Sequence, residues 1–120
     1  MIEKIVRDYL IEQIEVPIYT EIPLTPPESY VVIEKTGSSR ENFISHSTIV
    51  VDSYAESLYK ATLLNEEIKT ALLGDGTSYD NGIAGVVKEV SACDLNTDHN
   101  ATDTTNKKHR YQAVYDLVHF

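Results

Sequence analysis

The stretch "TPPESYVVIEKTGSSRENF", residues 25–43, sets the architecture. Two prolines, Pro26 and Pro27, end one segment, because residues before proline are pushed out of the helical region. A β-branched, aromatic run, "YVVIEKT" (30–36), follows and reads as a strand. "TGSSREN" (36–42) reads as a loop by its Gly and Ser content. "FISHSTIVVDSY" (43–54) is a second long strand. The pair predicts a hairpin whose loop is longer than the tight two-residue kind.

Upstream, Ile2, Ile5, Val6, Tyr9 and Leu10 recur at helical spacing, with Glu3, Lys4, Asp8 and Glu12 between them. This predicts an amphipathic helix that ends before Pro17. "VPIYTEIP" reads as a short extended piece, and Pro23 to Pro27 as a connector. Downstream, Ser53 and Glu56 have the spacing of a capping box. Leu58, Ala61, Leu64, Ile68, Ala71 and Leu72 then form an apolar stripe, and Gly74 stands where a left-handed cap is wanted. A helix over about 53–73 is expected. "GDGTSYDNG" (74–82) reads as a loop, "AGVVKEVSACDL" (84–95) as a strand, "NTDHNATDTTNKK" (96–108) as a polar loop and "HRYQAVYDLVHF" (109–120) as the closing strand. Ile and Val together outnumber Leu more than two to one, which suits a sheet-dominated core. The expected fold is α+β: an antiparallel sheet with two helices packed mainly on one face, as one domain over residues 1–120.

The chain of 120 residues has a hydrophobic share of 42%, ordinary for a globular protein. A single cysteine, Cys93, forbids an internal disulfide and fits a reducing compartment. No signal-peptide h-region or segment of membrane-spanning length is seen, so synthesis in the cytoplasm and no membrane partner are expected. The net charge of −9 argues against a phosphate-binding surface as the main activity.

No catalytic or metal site emerges from the pattern. Asp94, Asn96, Asp98 and Asn100 alternate like the start of a calcium loop. His99 stands where that loop needs glycine, and Thr105 where it needs a bidentate glutamate. His46, His99, His109 and His119 include no pair at i, i+4 spacing, and Cys93 has no second cysteine nearby. Cys93 lies in an apolar strand and reads as a small hydrophobe. There is no G-x-S-x-G elbow, and the glycine-rich 74–82 stretch lacks the ending of a phosphate cradle. Glu66 and Glu67 sit beside Lys69 on a helix and read as a solvated face. No enzyme activity, metal or cofactor is expected.

The closing strand is more informative. Tyr111, Ala113, Tyr115 and Leu117 alternate onto one face, and Val114, Val118 and Phe120 onto the other. A sheet covered by helices on one side ordinarily has a polar second face. A row of apolar side chains there predicts either a subunit interface or cover by a loop or the 17–24 segment.

The chain resembles the tail-completion or tail-terminator (head–tail joining) proteins of long-tailed phages and prophages. The likeness rests on "MIEKIVRDYLIEQI", "IYTEIPLTPPESYVVIEKTGSS", "ISHSTIVVDSY", "AESLYKATLLNEEIKTAL" and "HRYQAVYDLVHF", and covers nearly the whole chain. The resemblance implies a virion structural protein of the neck, in a ring, usually hexameric, at the head-proximal end of the tail tube. Such a ring ends tube polymerisation and meets the head connector. The implied partners are other copies of the chain, the tail tube protein and the head connector protein. DNA would pass through the lumen without specific binding. Ser38, Ser39, Arg40 and Glu41 become interface candidates, with Val114, Val118 and Phe120. The competing readings are a connector stopper or adaptor, and a small monomeric binding module or enzyme.

Overall fold

The computed structural model describes residues 2–41, 43–74, 82–102 and 109–120. In order, the elements are α1 (Ile2–Gln13), β1 (Ile18–Tyr19), β2 (Tyr30–Glu41), β3 (Ile44–Ala55), α2 (Leu58–Leu73), α3 (Ile83–Val86), β4 (Val90–Asn100) and β5 (His109–His119). The sheet order is β1-β2-β3-β5-β4. β1 runs parallel to β2, and every other pairing is antiparallel. The α+β architecture read from the sequence is the one observed.

Alternation decides which side chains meet the helices. Val31 and Ile33 of β2, Ile49 and Val51 of β3, and Ala113, Tyr115 and Leu117 of β5 are buried. They form one core with Ile2, Val6, Tyr9 and Leu10 of α1 and Leu64, Ile68 and Leu72 of α2. Each such large aliphatic contributes roughly 1.5–3 kcal/mol on burial. The helices are also tied by polar contacts. The Tyr9 hydroxyl donates to the Ala71 carbonyl at 2.6 Å, and Arg7 Nε to the Ile18 carbonyl at 3.0 Å.

Helix α2 begins later than the Ser53–Glu56 spacing predicts. Its N-cap is Ser57, whose Oγ accepts from the Lys60 amide at 3.2 Å. Ser53 is fully buried in β3, opposite Val31 and Tyr111, so strand pairing on both sides holds it in the sheet. Glu56 instead ion-pairs with Lys60 one turn on. Gly74 caps the other end at φ 86°, its amide donating to the Thr70 carbonyl at 2.8 Å. That left-handed backbone favours glycine.

Two loop assignments and one strand boundary change. Residues 36–41 are strand: β2 continues to Glu41, with a register shift between Lys35 and Gly37. Only positions 42–43 separate it from β3. The polar stretch after Leu95 is also strand as far as Asn100, with a shift between Leu95 and Thr97. Residues 103–108, and 75–81 of the glycine-rich stretch, lie outside the described residues. The strand expected from 84 starts at Val90, because α3 occupies 83–86 and the Val87 amide closes back on the Ile83 carbonyl at 2.9 Å.

Candidate interaction surfaces

The outer half of β2 is an arm on the open edge of the sheet, beyond its short pairing with β1, while β3 stays paired with β5 almost to the hairpin tip. Tyr30 to Ile33 are buried, whereas every residue from Glu34 to Glu41 is exposed. Ser38, Ser39, Arg40 and Glu41 lie on this arm, opposite Ser47, His46, Ser45 and Ile44 respectively. They are ladder residues near the tip, not members of a loose loop. Successive strand residues point to opposite faces, so Arg40 and Glu41 diverge. Arg40 turns to an aromatic partner: its guanidinium carbon sits 5.9 Å from the centroid of the Phe43 ring, within cation–π reach.

Phe43 went unrecognised in the sequence, where it opens the second strand. It is 81% exposed and has φ 69°. A two-residue hairpin connection ordinarily places glycine in such a backbone. A bulky side chain there costs about 1–2 kcal/mol. The available signal was an Asn-Phe pair between two strands where Asn-Gly is usual.

The sheet face opposite the helices is mixed in character. At one end Tyr30 stacks on Tyr54, centroids 4.5 Å apart, and meets the edge of Tyr19 at 6.2 Å. The 17–24 segment therefore reaches this face, at that end, through Tyr19. Next comes Asp52, which accepts from Gln112 Nε2 at 3.0 Å and lies 4.0 Å from Arg110 Nε. Burial pushes the Asp52 carboxyl above its ordinary range, against the Gln112 hydrogen bond and Arg110. Val114 lies between Val50 and Thr97, and Val118 between His46 and Ala92. Both valines are half-buried. Asp116 sits between them on the same face, accepting from Thr48 Oγ1 at 3.1 Å and Asn96 Nδ2 at 3.0 Å. The apolar row expected on β5 is thus broken by a carboxylate. Phe120, 69% exposed, follows β5, and its amide donates to the Glu89 carbonyl at 2.9 Å.

A second surface lies on the helical side. The end of α1, the residues after it and the outer flank of α2 enclose an open groove of about 820 Å³. Its lining includes Ile14, Val16, Leu63 and Ala71, with Glu15 and Glu67 exposed at its edge.

Of the residues that imitated a calcium loop, Asn96, Asp98 and Asn100 make side-chain hydrogen bonds within the chain. Asp98 accepts from Lys69 Nζ at 2.7 Å and from Asn65 Nδ2 at 3.1 Å. Lys69 holds its carboxyl below the usual range. Thr105 lies outside the described residues. Among the described residues no group of three or more His, Cys, Asp or Glu is placed to hold a metal. Burial, reinforced by Asp94 and Asp116, pushes the Cys93 thiol up to about 12, so it stays protonated at neutral pH. No described helix is long and apolar enough to cross a membrane.

No protein-family model matches the chain. Over 58 residues it is 29% identical to the 1-phosphatidylinositol-3-phosphate 5-kinase FAB1A of Arabidopsis thaliana. The stretch is 48% of this chain but only 3% of the kinase. Among solved structures, a chain from the virion of a native gene transfer agent (GTA) particle superposes with a TM-score of 0.60 at 10% identity. The superposition covers 96% of this chain and 84% of that one. At that identity the likeness is one of fold.

Proposed function

We propose that this chain is a virion structural protein of a phage-type neck, working as one tail-terminator-like α+β domain. In this reading it forms a ring, hexameric in related assemblies, at the head-proximal end of the tail tube. The ring ends tube growth and joins the tail to the head connector. The observation that carries the proposal is the fold likeness to a virion chain across 96% of the sequence. The arm adds to it: the exposed edge of outer β2 and the hairpin tip can meet an adjacent subunit, and head-to-tail contacts close into a ring when the rotation allows. Ser38, Ser39, Arg40 and Glu41 on the arm, with Val114, Val118 and Phe120 on the outer sheet face, are the proposed contact residues. The role is non-enzymatic, and it suits a half-buried, protonated Cys93 thiol. The net charge of −9 suits a channel that DNA crosses without adhering, since like charge removes the counterion-release drive.

The test is electron microscopy of particles assembled without the protein. A terminator leaves overlong tails. A connector stopper or adaptor leaves tails of normal length detached from filled heads. Complete, joined particles in its absence refute a neck role.

A further inference from the structure

We infer that the arm tip of one copy docks into the α1–α2 groove of a second copy. The inference rests on the ring reading and names both halves of its subunit contact. The tip presents an exposed aromatic ring, Phe43, held out by a left-handed backbone and accompanied by the Arg40 cation. Strained backbone that nothing in the subunit's own core requires is a mark of a functional contact. The groove supplies the complementary chemistry: its mixed lining carries the apolar Val16, Leu63 and Ala71 together with the acidic Glu15, Glu66 and Glu67. Its volume of about 820 Å³ admits an aromatic side chain with a flanking arginine. Neither Glu15 nor Glu67 has an ion-pair partner among the described residues. Leu63 is 47% exposed, an apolar side chain left open at the groove.

Tip and groove cannot meet within one copy. The groove-lining Val16 precedes Pro17, whose carbonyl accepts from the Val31 amide at the start of β2. The tip lies past Glu41, at the other end of that strand, roughly 33 Å away at the rise of an extended chain. The molecule measures 44 Å along its longest axis. The two complementary surfaces thus sit toward opposite ends of the subunit, as a head-to-tail contact requires. Glu41 points to the other face of the strand, away from Arg40, and does not offset the cation at the docked face.

The experiment is cysteine cross-linking in a Cys93→Ala background. Ile44→Cys, beside Phe43, and Thr70→Cys, on the groove lining, are made in separate chains, both at exposed positions that keep the Phe43 ring, Arg40, Leu63 and the core intact. Mild oxidation of the mixture should give a cross-linked dimer that neither variant gives alone, and a chain carrying both substitutions should give a ladder. Adding Arg40→Glu to the Ile44→Cys chain should cut the yield about tenfold, and Glu67→Arg in the partner chain should restore it. Equal cross-linking of either variant alone overturns the inference, as does failure of the charge reversal to rescue. Sedimentation of the unmodified chain separates the two levels of the argument. Oligomers without a cross-link between the two introduced thiols remove the tip–groove contact and leave the ring. A monomer at the highest soluble concentration, with no cross-link, removes both.

Discussion

Replacing Asp98 by alanine should destabilise the fold by about 2–3 kcal/mol, more than an exposed acid would. Asp98 lies on β4 beneath α2, with 23% of its side chain exposed, and binds Lys69 and Asn65 together. Asn65 is fully buried. Removing the carboxylate takes away a charge-assisted hydrogen bond and leaves the Asn65 amide donor without its acceptor. Lys69 retains Glu66 at 3.0 Å, which holds the loss below the 3–5 kcal/mol typical of a broken buried pair. Thermal unfolding followed by circular dichroism should fall by roughly 6–10 °C. The penalty should depend on pH in one direction. Asp98 has a depressed pKa in the folded state, so its stabilisation is present above the unfolded value of about 4 and fades as pH falls through the folded one. Wild type and variant should therefore converge in acid. In an Asn65→Leu background the cost should shrink by about 1 kcal/mol, because no orphaned amide remains. A variant within about 0.5 kcal/mol of wild type at neutral pH refutes this account, as does a penalty that persists unchanged in acid.

Gly82→Ala should cost about 1–3 kcal/mol in urea unfolding, since the added carbon would lie 2.9 Å from the Leu72 carbonyl oxygen and the Leu73 carbonyl carbon. Both neighbours are backbone and give little, so an alanine variant as stable as wild type would show that α3 can shift. Cys93 should resist alkylation at neutral pH and react fast in denaturant; equal rates in both conditions would contradict a half-buried thiol with a pKa of about 12. Val118→Asp should keep its fold, because Val118 faces away from the helices, and should lose tail joining if the outer face is an interface. Unfolding of that variant would assign the residue to the subunit's own core, and normal joining would leave the contact to the arm and groove.

Burial writes itself into sequence, and pairing does not. Tyr30 to Ile33 and the alternating Ala113, Tyr115 and Leu117 were legible because their side chains must leave water. The outer half of β2 was not legible as strand, because Gly37 to Glu41 pair through ladder partners such as Ser38 with Ser47, and no apolar pattern accompanies a strand segment exposed from Glu34 to Glu41. Similarly, Ser53 and Ser57 offer the same cap chemistry four residues apart, and only the neighbouring strands decide between them. The four residues of α3 are too few for a helical period to show. For the candidate contact the difficulty lies deeper. Glu66 and Glu67 read correctly as a solvated face of α2, Val16 reads only as part of the extended "VPIYTEIP" piece, and the pattern gives Ile14 no role. The groove exists only where those two stretches meet, and Phe43 becomes a knob only because the turn holds its backbone at a positive φ. A surface assembled from such separate parts becomes visible once chain topology sets one part beside another and sends the matching part to the far end of β2.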